Sequence, residues 1–214
     1  MPFFLTHAAN VEYEFLIEPK GLTRPLVKQI HANTIIEVDK NNFDSLCKNP
    51  PEADGLITRA PGLSLSIFTA DCIPLLIFTD HIPMTIAALH CGWRGAKANI
   101  LRQALAQIGG TPHSMHVIFG PSIMACCFEV KEDLVQSFKA AGHHPEPYLR
   151  YQNEKMFFNL SEFLIREQLQ KLALENIHTE NLRCTHCTTP RLPSYRRDKA
   201  TDPRMRSWIR IGPS

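Results

Sequence analysis

Three apolar runs follow one another with only short turn-forming breaks: LSLSIFT at 63–69, IPLLIFT at 73–79 and MTIAALH at 84–90. Runs of this length, rich in β-branched and aromatic residues, read as strands. They are apolar on both faces, so both faces of the sheet they build have to be covered by other elements. After Gly92 the period changes. Ala96, Ile100, Leu101, Ala104, Leu105 and Ile108 recur at helical spacing, and Gly109-Gly110 marks the end of that helix. HVIFG at 116–120 returns as a strand closed by the Gly120-Pro121 turn. Residues 131–141 and 159–174 read as amphipathic helices, the second with Asn159 or Ser161 as N-cap. The stretch from 183 to 210 reads as a loop-rich, basic tail. The expected fold class is α+β, a single layered domain over 1–214 with a mixed β-sheet core covered by helices.

Composition narrows the function. The chain has 214 residues, 44% hydrophobic and 21% charged, which suits one globular core. A net charge of +2 is too mild to imply nucleic acid or a membrane surface as partner. The longest apolar run, IPLLIF, falls far short of the ~20 residues that span a bilayer, and MPFFLTHAANVEYEF lacks the basic and apolar regions of a signal peptide. A cytoplasmic protein is expected. Seven cysteines, at 47, 72, 91, 126, 127, 184 and 187, then remain reduced, so metal binding, catalysis or packing outranks disulfides.

The segment TADCIPLLIFTDHIPMTIAALHCGWRGA carries Cys72, His81, His90 and Cys91. Pro83 cannot donate to a strand ladder and belongs in the turn. If residues 79–83 form the loop, Cys72 lies directly opposite His90, with Cβ atoms ~4.5–5.5 Å apart, a gap one metal ion can bridge. Asp71 and Cys91 then face the other way, and His81 sits at the loop tip. A loop of 80–83 instead places Cys91 opposite Cys72. Two ligands do not make a catalytic zinc site, which has three and an open position. His31, just before a β-branched run, is one candidate for the third; His113, His116 and His186 compete with it.

Several stretches occur together in one order: Gln29-Ile30-His31, Thr69-Ala70-Asp71-Cys72, His90-Cys91-Gly92-Trp93-Arg94-Gly95, Gly120-Pro121-Ser122-Ile123, Cys127-Phe128-Glu129-Val130, Cys184-Thr185 and Ser194-Tyr195-Arg196-Arg197-Asp198. In this the chain resembles the laccase-domain family, also called multicopper polyphenol oxidase-like proteins or peptidoglycan editing factors. The resemblance implies an α/β/β/α-type layering similar to cysteine-hydrolase-like folds, and metal ligation by His31, Cys72 and His90, with Cys91 left as a packing residue. It further implies a zinc-dependent phosphorylase of purine nucleosides (adenosine, inosine, guanosine and methylthioadenosine) that also deaminates adenosine. Two departures stand out. The family's Thr-Arg-x-Gly-Gly stretch has no counterpart before Gln29, and its closing Thr-Gly-Arg reads Thr201-Asp202-Pro203-Arg204 here.

The partners of such an enzyme are a small purine nucleoside and inorganic phosphate, with no nucleic acid or membrane, in a monomer or homodimer. Gly92-Trp93-Arg94-Gly95 joins a strand end to a helix start, where N–H groups and Arg94 attract an anion. Tyr195 and Arg196 are expected to bind substrate, by stacking on a base or gripping phosphate. Cys72, His90, Asp71 and Arg94 are the catalytic candidates, although the strand pattern turns Asp71 away unless a bulge intervenes. Glu129 reads equally as a salt-bridged surface residue. Copper is the less favoured metal: none of the ten histidines forms the H-x-H pair of a laccase cluster, and one copper on two His and a Cys does not make a laccase. Two rivals remain. One is a cysteine-type amidohydrolase editing peptidoglycan precursors, with Cys72 as nucleophile and His90 as base. The other is a non-enzymatic zinc-binding protein built on Cys184-Thr185-His186-Cys187, a C-x-x-C without a second such motif.

Overall fold

A computed structural model describes residues 2–8, 10–18, 25–200 and 203–212. In chain order its elements are β1 (Pro2–Ala8), β2 (Val11–Glu18), β3 (Ile35–Glu37), α1 (Phe43–Lys48), β4 (Gly55–Thr58), β5 (Ser64–Thr69), β6 (Ile73–Thr79), β7 (Ile86–Cys91), α2 (Trp93–Lys97), α3 (Ile100–Ile108) and β8 (Met115–Phe119). There follow β9 (Glu129–Val130), α4 (Glu132–Ala140), β10 (Leu149–Gln152), β11 (Lys155–Phe158), α5 (Leu160–Phe163), β12 (Asn176–His178), α6 (Tyr195–Asp198) and β13 (Arg204–Ile211). The fold is α+β, as expected.

A mixed six-stranded sheet runs β12-β8-β6-β7-β4-β3, an antiparallel four-stranded sheet β1-β2-β13-β5, and a small third sheet β10-β11-β9. Every residue of β6 and β7 is buried. Leu75, Ile77, Ala87 and Leu89 face one apolar cluster together with Leu101, Leu105, Phe138 and Phe163 from the helical side. Leu76, Phe78, Ile86 and Ala88 face a second cluster with Phe15, Leu65, Ile67 and Ile209 of the four-stranded sheet, and α1 adds Phe43, Leu46 and Cys47 to it. The two dry faces read from the sequence are therefore covered, one by helices and one by a second sheet.

The hairpin register differs from either expectation. Pro74 stands opposite His90 and Ile73 opposite Cys91, because the connection is longer and runs through residues 80–85. The shift from the 79–83 loop is two positions, and side chains alternate with period two, so Cys72 and His90 keep the same face. Cys72 lies just before β6 rather than in it.

Three further readings are corrected. The helix expected after Gly92 breaks in two at Asn99, whose φ of 60° puts it in the left-handed region that asparagine tolerates. The helix at 159–174 begins as α5, capped by the Asn159 side chain on the Glu162 N–H, and then widens into a π-helical stretch at 164–169. The stretch from 183 to 210 is not all loop: β13 is an inner strand paired with both β2 and β5. Its alternation is plain in retrospect, with Met205, Ser207, Ile209 and Ile211 buried between basic residues and Trp208. Thr201 and Asp202 of the closing motif lie outside the described residues.

Because Leu75 and Leu76 are both fully buried on opposite faces of β6, Leu75→Ala and Leu76→Ala should each cost about 2–5 kcal/mol in urea unfolding. A strand with one wet face would leave one of the two nearly silent.

Candidate metal centre

His31, Cys72 and His90 come together from three separate segments, with their ligating atoms all within 4.8 Å of one another. His90 is the penultimate residue of the fully buried β7. Cys72 sits in the turn between β5 and β6, where Asp71 takes a φ of 90°, and His31 itself has a φ of 64°. Non-glycine residues in this region are sparse and persist where surrounding contacts hold them. The three-residue set expected from the sequence is thus assembled. Of its competitors, His113 pairs with Glu175 at the surface, and His116 stacks on Phe78 and contacts His178.

The residue that does the assembling is Asp54, which the sequence reading missed. Its carboxylate, fully buried just before β4, accepts the backbone N–H groups of Ile30 (3.2 Å), His31 (2.9 Å) and Ala32 (2.6 Å). The same carboxylate lies 2.6 Å from Nδ1 of His90. It therefore fixes the tight turn that carries His31 and orients the His90 ring, leaving Nε2 of His90 as the ligating atom. Gln29 completes the clamp, donating from Nε2 to the Phe68 carbonyl (2.7 Å) and accepting the Phe68 N–H at Oε1 (2.9 Å).

Electrostatics follow from this geometry. Burial alone would raise the Cys72 thiol, but the charge of His90 and hydrogen bonds from His31 and His90 bring it down to about 6. Burial would lower His90, yet the Cys72 charge and the Asp54 carboxylate raise it to about 9. Asp54, against its own burial, is held below the usual carboxylate range by His90, Ala32 and His31. Cys91 is pushed up by burial and by the charges of Cys72 and Asp54, the behaviour of an inert packing thiol. The donor set fits a metal ion: a thiolate, two imidazoles and a second-layer carboxylate are zinc chemistry. Gly92 keeps the space clear, since a Cβ there would lie 2.9 Å from Cys72 Sγ and 3.1 Å from the His31 ring.

The three residues line a cleft of about 510 Å³, shared with Trp93, Arg94, Phe128, Tyr195 and Arg196. This is the size range of small-molecule sites. Arg94 is exposed and lies 4.3 Å from the Trp93 ring centroid, a cation–π contact that narrows its conformations. Arg196 donates from its guanidinium to the Glu129 carbonyl (2.9 Å), with its charge 5.7 Å from the Phe128 ring. Tyr195 is 52% exposed. Asp71 does line the cleft, but its two oxygens accept the Thr185 hydroxyl and the Arg196 N–H, both at 2.6 Å. Glu129 pairs with Lys155 at 3.0 Å.

The family described as multi-copper polyphenol oxidoreductase laccase matches residues 10–212. A purine nucleoside phosphorylase of Clostridium acetobutylicum is 30% identical over 188 residues, covering 86% of this chain and 75% of that protein. One from Aquifex aeolicus is 30% identical over 184 residues, covering 85% and 80%. Among solved structures, a Neisseria meningitidis protein superposes with a TM-score of 0.81 at 22% identity, covering 98% of this chain and 99% of that one. YlmD from Geobacillus stearothermophilus does so with a TM-score of 0.77 at 22% identity, covering 96% and 93%.

In metal-stripped protein, Cys72 should be alkylated by iodoacetamide with a midpoint near its thiol value of about 6, followed by mass spectrometry across pH. Asp54→Asn removes the anion that holds the His90 proton, so the thiolate loses its cation and the midpoint rises. A wild-type midpoint at the ordinary ~8.5 would contradict this electrostatic account.

Proposed function

The chain belongs to the multi-copper polyphenol oxidoreductase laccase family, and from that premise we propose that it is a zinc-dependent purine nucleoside phosphorylase working as one catalytic domain. The names of its relatives support the reading. The observation that carries it is the meeting of His31, Cys72 and His90 in a nucleoside-sized cleft that also holds Arg94. Three coppers do not fit. Among the described residues only one cluster of three or more metal-ligating side chains contains histidine, and it offers three ligands, too few for a multicopper cluster.

His31, Cys72 and His90 would hold the zinc, which would supply Lewis-acid chemistry in the cleft when bound. The rest falls to the chain. Arg94, held against Trp93, binds the phosphate dianion at the mouth of the β7–α2 turn. The helix adds little field there, because α2 has only five residues. Tyr195 offers an exposed ring on which the purine stacks, and Arg196 frames the base from the Phe128 side. In phosphorolysis a phosphate oxygen bonds to the ribose C1′ as the C1′–N9 bond breaks, and its electron pair leaves with the purine, which takes up a proton. Asp71 serves this as a positioning residue, since its oxygens hold Thr185 and the start of α6 in place.

Adenosine deamination is the proposed second activity of the same cleft. Seven free thiols suit a reducing, cytoplasmic setting. The thiolate–imidazolium character of Cys72 and His90 also favours one alternative, a metal-free cysteine amidohydrolase.

Zinc-loaded protein incubated with adenosine and phosphate should yield adenine and ribose 1-phosphate, with inosine as the deamination product, all separated by chromatography. Cys72→Ala should abolish all three. Arg94→Ala should raise the KM for phosphate about 10- to 100-fold, the worth of one charge-assisted hydrogen bond. Amide hydrolysis by stripped enzyme, with no nucleoside turnover by the loaded form, would transfer the assignment to the hydrolase.

A further inference from the structure

Away from the His31–Cys72–His90 centre, four more cysteines converge. Cys126, Cys127, Cys184 and Cys187 have all their sulfurs within 4.8 Å of one another, and Cys126 and Cys187 are 3.7 Å apart. They come from two turns far apart in sequence, Cys126 and Cys187 being separated by 61 positions. One is closed by the Cys127 N–H on the Met124 carbonyl (2.9 Å), the other by the Thr188 N–H on the Cys184 carbonyl (3.0 Å). A parallel bridge aligns them, with Ser122 N–H on the Arg183 carbonyl and Thr185 N–H on the Ser122 carbonyl, both 3.0 Å.

Packing does not account for this cluster. Unpaired cysteines are among the most buried of residues, yet Cys126 and Cys187 are exposed. A disulfide does not fit the spacing either, because an S–S bond is ~2.05 Å. A separation of 3.7 Å is close to the edge of a tetrahedron with metal–sulfur bonds of ~2.3 Å, about 3.8 Å. The backbone N–H groups of Met124, His186 and Cys187 also point at the Cys184 sulfur, as they do where a turn presents a thiolate to a metal. A C-x-x-C turn supplies two ligands and the adjacent pair Cys126-Cys127 the other two, which is why a search for a second C-x-x-C finds nothing.

We infer that Cys126, Cys127, Cys184 and Cys187 form a second metal site, a tetrathiolate centre for zinc that fastens the α6 segment to the 122–130 loop beside the cleft. Four sulfurs close the coordination shell, so the site is structural, unlike the three-ligand centre. Its position gives it a task. The Cys126-Cys127 turn leads directly into Phe128, and the Cys184–Cys187 turn is tied to α6 by Arg197, whose guanidinium donates to the carbonyls of Thr185 (3.0 Å), His186 (2.8 Å) and Leu192 (2.7 Å). Holding the two turns together holds Arg196 against Phe128, with Tyr195 beside it in the cleft lining.

The test starts with the unmodified chain, purified under reducing conditions and titrated with Co²⁺. Binding should saturate at about two equivalents, one of them with the intense thiolate-to-metal absorption of a tetrahedral four-sulfur site. Zinc counted by mass spectrometry should fall to about one per chain in His31→Ala/Cys72→Ala. It should fall to none when Cys126→Ser and Cys187→Ser are added, and hydrogen exchange across 185–198 should then quicken. A folded His31→Ala/Cys72→Ala protein that holds no zinc would overturn the inference. So would zinc retained by the fourfold variant, a single equivalent of Co²⁺ in the native chain, or disulfides among the four cysteines in peptide maps of fresh protein.

Discussion

A single buried carboxylate, Asp54, holds together what the rest of the site depends on. Taking a charge out of water is costly unless donors surround it, and here three consecutive backbone N–H groups and the His90 ring supply them. Those same donors are what the metal centre needs fixed. The N–H groups belong to a turn in which His31 adopts a left-handed backbone, and the ring belongs to the innermost hairpin of the main sheet. One side chain thereby couples the start of β4, the turn before β3 and the end of β7 to a common geometry.

The sheet contributes rigidity and parity. Both faces of β6 and β7 are packed, so neither strand can slide without moving a row of buried side chains onto the wrong layer. Cys72 and Asp71, just outside β6, divide the work across a sharp bend. Cys72 turns to the histidines, whereas Asp71, with φ at 90°, reaches Thr185 and Arg196. The bend therefore connects the His31–Cys72–His90 group on one side to the segment carrying Tyr195 and Arg196 on the other. It also explains why alternation along a strand was a poor guide to Asp71: the residue is not in a strand.

The segment after Leu182 shows a different kind of dependence. Few of its residues between 183 and 200 are in regular structure, and they are held by side chain to backbone bonds from Arg197, by Asp71 and by the bridge to Ser122. A stretch with so little ladder bonding takes its shape from what it touches. Beyond it, β13 inserts between β2 and β5, so the last strand among the described residues is an inner one, and its outward arginines that resemble a basic tail in sequence meet partners such as Glu12.

The sequence by itself determined the doubly buried strands and the helical face from Ala96 to Ile108, and a resemblance carried by short motifs pointed to the candidate trio His31, Cys72 and His90. Whether His90 or Cys91 shares a face with Cys72 it left open between two loop lengths; the resemblance favoured His90, and the observed register, an even step from the 79–83 loop, keeps that parity. Only the tertiary structure decided the register, since Pro83 marks a turn there without fixing how many of residues 80–85 the connection takes. Only it revealed Asp54, because an aspartate beside a glycine reads as a turn until its four donors arrive from other parts of the chain. The meeting of Cys126-Cys127 with Cys184 and Cys187 was equally hidden. Sequence spacing records contacts within a turn, and these two turns are brought together by long-range backbone pairing.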